Sequence, residues 1–508
     1  MSITQDNLNL AQYIGVDPNS AEAGIPFQVA GAIKQKIEDN REDNNIDMEK
    51  NWDFYQGDHS YYFKQRHNED DEVFKYRKQN IIAPNYCKFL INLSAKFAYG
   101  RNGKVRRQFI AEEDSNSKKT DDRLRRIDEL VGYQEFMLEA KRNAGLFGEQ
   151  PIRMIPLDER NGEPVSSVND WTYPHPIRLD PRYTFCLIND WGKMQAVVIE
   201  ESYIDYTNQS KEVEVLELIV QDSRWRWENG TLVSQEINTY NLDEEFVCFY
   251  NDGTRKDELQ DILDLQIKLD EALTDQSHVY EKHGWPQLVT EIDLSQVTKA
   301  PGYIWEVSVD DSGKSMKDQM NFLTWDGKEI PARQYAKDLE AMIFKISSTA
   351  PISTGDLENI GNLRSGAALV TSYGPSIQKA QEKQVSWERN EINFFNAITK
   401  LDSSLHQTSV EVRFPGLLID IRFPDDFVPG EELVRSEIDS MALNSHSISI
   451  SDVIRRRHPE FRESQVSDYR EEIIKDSADL TDSTNKVVTE TKEPVSSGKQ
   501  KSNEQPKQ

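Results

Sequence analysis

Apolar positions follow two rhythms along this chain, and the switch between them divides it. Residues 27–56, 84–100 and 118–150 repeat apolar side chains every three to four positions, with a strongly charged middle from Lys34 to Lys50 in the first. This is the period of an amphipathic helix. From Ile177 to Tyr250 the period becomes two, which predicts strands at 183–188, 194–201, 212–220, 223–228, 231–237 and 245–250. Asn229-Gly230, between Trp225-Arg226-Trp227 and Leu232-Val233, is a hairpin signal. The Trp-Arg-Trp alternation gives that strand one face for core or subunit contact. Helical spacing returns over 255–283 (Leu259, Ile262, Leu269, Ala272, Gln276) and 331–347 (Tyr335, Leu339, Met342, Ile346). The stretch 285–330 between them reads as a small β-containing insertion, bounded by Trp285-Pro286 and Ile330-Pro331. Strands are predicted again at 408–422, and helices at 430–442 and 450–474.

The longest element lies between the second of those helices and the late strands. Tyr373, Ile377, Ala380, Gln384, Trp387, Phe394 and Ile398 keep one face. A helix from Asn362 to Lys400 would run on the order of 58 Å, at ~1.5 Å per residue. Pro375 interrupts the pattern and predicts a kink or a late start, because proline lacks the helical donor and clashes with the preceding turn. A polar Ser/Thr/Gly loop, Ser347 to Gly361, precedes it. Two helices joined by such a loop can present it to a passing molecule.

Charge sharpens the picture. The 508 residues carry 88 acidic against 60 basic groups, a formal net charge of −28. Hydrophobic residues make up 37% and charged ones 29%, which suits a long-helix, high-surface protein better than a compact enzyme. A sequence-reading nucleic-acid binder is basic, and this chain is the opposite. An acidic wall instead lets DNA slide, since phosphate neutralisation is what makes binding strong. Cys87, Cys186 and Cys248 fit no zinc spacing and are odd in number, so buried free thiols are expected. The first residues lack a basic and an apolar region, and no apolar run approaches the ~20 residues that span a bilayer. Assembly in a cytoplasm is expected. Residues 477–508 hold few apolar groups and read as a disordered tail, and 1–25 as a flexible arm.

No catalytic constellation survives inspection. Gly313-Lys314-Ser315 resembles the end of a phosphate-binding loop, but Ser308 stands where the earlier glycine is required. Asp310-Asp311 lacks calcium-loop spacing. The eight histidines form no zinc-protease motif, and no serine-nucleophile motif occurs. Trp387, Phe394 and Phe395 read as packing. The expectation is a non-enzyme with no cofactor and no metal.

Several blocks resemble one family in order. Asn51-Trp-Asp-Phe-Tyr55-Gln-Gly57-Asp-His59 is similar to the Tyr-x-Gly motif after the first helix of tailed-bacteriophage portal proteins. Asn80-Ile-Ile-Ala-Pro-Asn-Tyr86-Cys-Lys88-Phe-Leu-Ile-Asn followed by Ala98-Tyr-Gly100, and Ala144-Gly-Leu-Phe-Gly148, are similar to its next blocks. Asp257-Glu258-Leu259 resembles the opening of its first stem helix, and Ser365-Gly366-x-Ala368-Leu369 the start of its spine helix. The blocks span roughly 45–470, and their order and spacing make the match.

The resemblance implies an α+β portal-type fold with long stem and spine helices, a β-rich wing, a small clip insertion and a helical crown. On this chain the implied parts are a wing at 26–254, stem helices at 255–284 and 331–347, and a clip at 285–330. A tunnel loop at 348–361, a spine helix at 362–402, wing strands at 403–429 and a crown at 430–476 follow. It implies a head–tail connector at one capsid vertex, a homo-oligomeric ring of twelve subunits through which double-stranded DNA passes non-specifically during packaging and ejection. Implied partners are the terminase, the major capsid and scaffolding proteins and a head-completion adaptor, with no membrane. The alternative is a ring-forming neck or tail adaptor without a packaging role. Amides and hydroxyls of the loop can touch phosphates without gripping them. Asn359, Asn362 and Arg364 are the candidate DNA contacts. The competing roles are helix caps for Asn359 and Asn362 and a subunit ion pair for Arg364. Lys337 and Lys345 are candidate channel-lining cations. Lys268 and Arg333, near Asp264, Asp270 and Glu329, read as ion-paired; Lys282 completes the basic groups of the stem.

Overall fold

The computed structural model describes residues 25–99, 106–109, 115–165, 168–189, 192–205, 211–253, 255–283, 287–290, 320–323, 330–350, 372–415, 417, 419–423, 439–443, 447–458 and 465–475. The fold is α+β. The first amphipathic stretch is two helices rather than one, α1 (Ile25–Asp43) and α2 (Met48–Gln56). The break comes at Asn45, in the left-handed region at φ 54°, and Asp47 restarts the helix by accepting the Lys50 N–H at 2.9 Å. A third helix, α3 (Asp71–Gln79), has no apolar stripe to announce it. It is held instead by its Asp70 cap and by buried Arg77, whose guanidinium meets Glu69 at 2.8 Å.

Next come α4 (Tyr86–Tyr99), β1 (Arg106–Phe109), α5 (Ser115–Val131) and α6 (Tyr133–Phe147). Gly148 ends α6 at φ 84°, and a Cβ there would lie 2.1 Å from the Arg255 carbonyl oxygen. Only glycine allows the chain to pass so closely.

Two sheets follow. The smaller, in order β3-β2-β9, joins β2 (Glu149–Asp158), β3 (Thr172–Arg178) and β9 (Phe246–Tyr250). The larger is an antiparallel meander of β4 (Thr184–Ile188), β5 (Met194–Asp205), β6 (Lys211–Val220), β7 (Ser223–Glu228) and β8 (Thr231–Ile237). Asn229 and Gly230 turn β7 into β8 at φ 47° and 75°, both left-handed as a two-residue hairpin requires. Val29, Ile33 and Ile37 of α1 cover one face of this sheet over Val198, Leu218, Trp225 and Trp227. On the other face Cys186, Val197 and Ile219 meet Leu242, Phe246 and Cys248. A short turn, α7 (Leu242–Glu245), leads into β9.

The helix expected from residue 255 starts later, as α8 (Leu263–His283), because Asp257 first closes a turn by accepting the N–H groups of Leu259 and Gln260 at 2.7 Å. It packs on α9 (Ile330–Ile346) through Ile262, Leu269, Ala336, Leu339 and Ile343. Between them β10 (Gln287–Thr290) and β11 (Met320–Leu323) pair antiparallel, so the predicted insertion contains strands. The long helix is α10 (Gly374–Leu405), with Pro375 in its first turn, where a missing N–H has no helical acceptor to lose. Its stripe lies at the centre of the largest core. Trp387, Phe394 and Phe395 are each fully buried against Phe136, Met137 and Ala140 of α6 and Phe249 of β9. Gln384 donates to the Ala98 carbonyl at 2.9 Å. Residues 410–413, read as strand, form a short helical turn, α11 (Val410–Arg413). Strand β12 (Ile419–Arg422) pairs with β1. Beyond it lie α12 (Ile450–Arg457) and helical residues 439–443 and 465–475. Of the arm expected at 1–25 only Ile25 is described, and the tail expected at 477–508 lies outside the described residues.

Candidate functional site

The two ends of the loop expected to act meet at one place. At the end of α9, Ser348 takes the left-handed conformation (φ 53°). Thr349 N–H then donates back to the Phe344 carbonyl at 2.8 Å, and Ser347 N–H to Ile343 at 3.0 Å. This closing pattern normally uses glycine. Ala350 N–H next donates to Ser376 Oγ, in the first turn of α10, at 2.8 Å. One turn further along, Lys379 Nζ donates to the Ser347 carbonyl at 3.1 Å and pairs with Glu258 at 2.9 Å. The outgoing and incoming chains are thus fastened to each other and to the turn before α8.

Glu258 is the anion of this junction, with its side chain 4% exposed. It also accepts the Ser94 hydroxyl at 2.8 Å. Burial alone would raise its carboxyl, but Lys379, Lys383 and Lys141 together outweigh burial and hold it at about 2. Lys141 pays the opposite cost. It is buried under α10, 4.6 Å above the Trp387 ring, and donates to Asn251 Oδ1 at 3.1 Å. Burial, then repulsion from Lys383, brings it down to about 7 despite Glu258 and Asp252. A void of about 20 Å³ beside Ser94, Ser348, Thr349 and Ser376 has room for about one water.

Asn359, Asn362 and Arg364 lie outside the described residues, as does most of the 348–361 loop. Lys337 and Lys345 are exposed on α9, and neither makes an ion pair among the described residues. Arg333 is also exposed there, likewise without an ion pair among the described residues. Lys268 is ion-paired as expected, though to Glu271 at 2.8 Å rather than to Asp264 or Asp270. Asp270 is taken by His59: Nδ1 lies 2.6 Å from Oδ2 with both residues buried, and Nε2 faces the Phe54 carbonyl at 3.2 Å. The carbonyl and an ionised carboxylate both accept, so both ring nitrogens of His59 face acceptors.

The lysine–glutamate junction was not foreseen from sequence. Within α10, Lys379 and Lys383 lie one turn apart beside the apolar stripe, and such positions read as solvent face, while Glu258 belongs to a separate segment. The three cysteines are free and buried, as expected. Among the described residues no group of three or more His, Cys, Asp or Glu is placed to hold a metal ion. No helix among them is long and apolar enough to cross a membrane. Neither a scan against protein-family models nor a search of curated proteins found a match.

Proposed function

We propose that this chain is the portal protein of a tailed phage. In this reading it forms a ring at one capsid vertex that serves as the DNA channel for packaging and ejection. It docks the terminase during packaging and head-completion proteins afterwards. The observation that carries the reading is a face of α9. Tyr335, Met342 and Ile346 are 51%, 49% and 50% exposed, and their spacing of seven and four aligns them on one side of the helix. Ala336, Leu339 and Ile343, on the adjoining face roughly 40–100° round the helix, are already buried against α8. The apolar arc of the helix is wider than α8 covers, and a neighbouring copy of the same pair would cover the rest in a ring. The strand-paired insertion between α8 and α9 and the 32-residue helix behind the loop fit the stem, clip and spine of such a protein. The net charge of −28 suits a channel that does not grip DNA.

Imaging of the purified protein by negative-stain microscopy, with mass photometry, tests this. Rings with a central hole and a mass many times 58.7 kDa are expected. A monomer at both low and high salt overturns the reading. Co-purification with a terminase subunit separates a portal from a neck or tail adaptor.

A further inference from the structure

A cleft of about 830 Å³ opens between α1 and the five-stranded sheet, away from the loop base. Its apolar wall is Trp227, Leu216 and Phe27, with Phe27 edge-on to Trp227 at a ring separation of 5.5 Å. Phe27 remains 43% exposed. The apolar surface continues past the cleft onto β8, the last strand of its sheet, where Leu232 is 46% and Val233 56% exposed. No helix among the described residues covers this end of the sheet.

The charge around the cleft is one-sided. Among the described residues Lys34 is the one cation in its lining, against five carboxylates. Lys34 is committed to Glu200 at 2.8 Å, and Asp180 to Arg182 at 2.7 Å. Glu201, Glu212 and Glu214 are exposed and have no ion-pair partner among the described residues. The strand register sets Glu214 opposite Ser202 and Glu212 opposite Ile204. By alternation both acids share the sheet face of Leu216 and Leu218, the face that α1 covers further along. Two carboxylates at i and i+2 on one strand face stand roughly 7 Å apart and repel. Beside a wall that favours an apolar side chain, that repulsion favours a ligand that brings cations with it.

We propose that this cleft docks a basic, amphipathic peptide segment of a partner protein. One bulky apolar side chain enters against Phe27, Leu216 and Trp227, and lysine or arginine groups reach Glu212 and Glu214. The open edge of β8 beside the cleft leaves room for an extended segment to run past it. The proposal does not depend on ring formation, and its test reads binding rather than assembly.

The probe is a fluorescein-labelled peptide of alternating lysine and leucine, about ten residues long, the span of a long strand. The control is its glutamate–leucine counterpart. Fluorescence anisotropy on the full chain should detect the lysine peptide and not the glutamate one. E212Q/E214Q should weaken binding about tenfold, and raised salt should have the same effect. Phe27→Ala should weaken it at every salt concentration. E471Q/E472Q removes two exposed acids elsewhere and should leave binding unchanged. No binding, or equal binding of both peptides, overturns the proposal. Equal loss in the distant variant overturns it as well, since the attraction is then that of the whole acidic surface. If E212Q/E214Q alters self-association and not peptide binding, the occupant is a second copy of this chain, and the proposal fails.

Discussion

Lys379 Nζ stands 2.9 Å from the Glu258 carboxylate and 3.1 Å from the Ser347 carbonyl oxygen, so one side chain of α10 ties the turn before α8 to the end of α9. Three chain segments distant in sequence depend on that ammonium. Glu258→Gln should therefore destabilise the fold by about 3 kcal/mol at pH 7, the low end for breaking a buried pair, because Lys379 keeps some solvent contact. The carboxyl is held at about 2 against an ordinary 4.5. A depressed acid stabilises fully above its unfolded value and loses that contribution as pH falls through the folded one. The gap between wild type and variant should be full above pH 4.5 and shrink towards pH 2. Thermal melts of both proteins across that range check it.

Lys141 has the opposite sign. Burial lowers it from 10.5 to about 7, so the unfolded chain holds more protons between those values and stability rises with pH there. Lys141→Met removes this dependence. The variant should be more stable than wild type at pH 6 by on the order of 1–2 kcal/mol. That advantage should disappear as pH approaches 10. Denaturant titrations at the two pH values would read it, and an unchanging difference would show that the ammonium is comfortably solvated.

Gly148→Ala should cost about 4 kcal/mol or more, since its Cβ would sit 2.1 Å from backbone at φ 84°. Gly162→Ala is the control. Its φ of 69° is also left-handed, but nothing lies within 4 Å, so it should cost about 1 kcal/mol. Equal melting temperatures for the two variants would mean that Arg255 moves aside freely.

Met342→Glu with Ile346→Glu places two carboxylates on the exposed stripe of α9. If that stripe meets a neighbouring copy, ring mass should collapse towards 58.7 kDa while the circular dichroism spectrum keeps its helical content. Intact rings would remove the observation on which the portal reading rests.

Shortening the loop by deleting residues 353–358 should leave rings intact, because the Ser376 and Lys379 contacts that fasten its ends lie outside the deletion. The amount of DNA packaged into heads should fall. Full genomes at normal yield would make the loop a passive linker.

Local pattern carried part of the fold into plain view. The meander from β4 to β8 is readable as alternation, and Asn229-Gly230 names its turn because few other residues accept φ 47° and 75° in succession. The stripe from Ala380 to Ile398 identifies the buried face of α10, and Pro375 marks its first turn. The burial of the three thiols was legible from their chemistry alone.

Other elements had no local signature. β2 and β3 contain Pro151, Pro156, Pro174 and Pro176, which argue against strands. They pair because Pro156 lies opposite Pro174, so both missing N–H groups fall where the ladder needs no donor. Only the partner strand makes that arrangement possible. Val410–Arg413 alternates as a strand does but forms a helical turn, with the Phe414 N–H returning to Val410 at 2.7 Å. The later part of that predicted stretch does form a strand, Ile419–Arg422, but its partner, Arg106–Phe109, lies far off in the chain.

The same division holds for the candidate site. A polar loop between long helices can be read from the sequence, because helix period and loop composition are properties of neighbouring residues. That Lys379, Glu258, Lys141 and Ser347 converge at its base cannot be, because each belongs to a separate segment and only packing against the Trp387 core brings them into one dehydrated space. Dehydration is also what pushes Lys141 down and makes the lysines hold Glu258 charged, so the chemistry of the junction exists only in the folded chain.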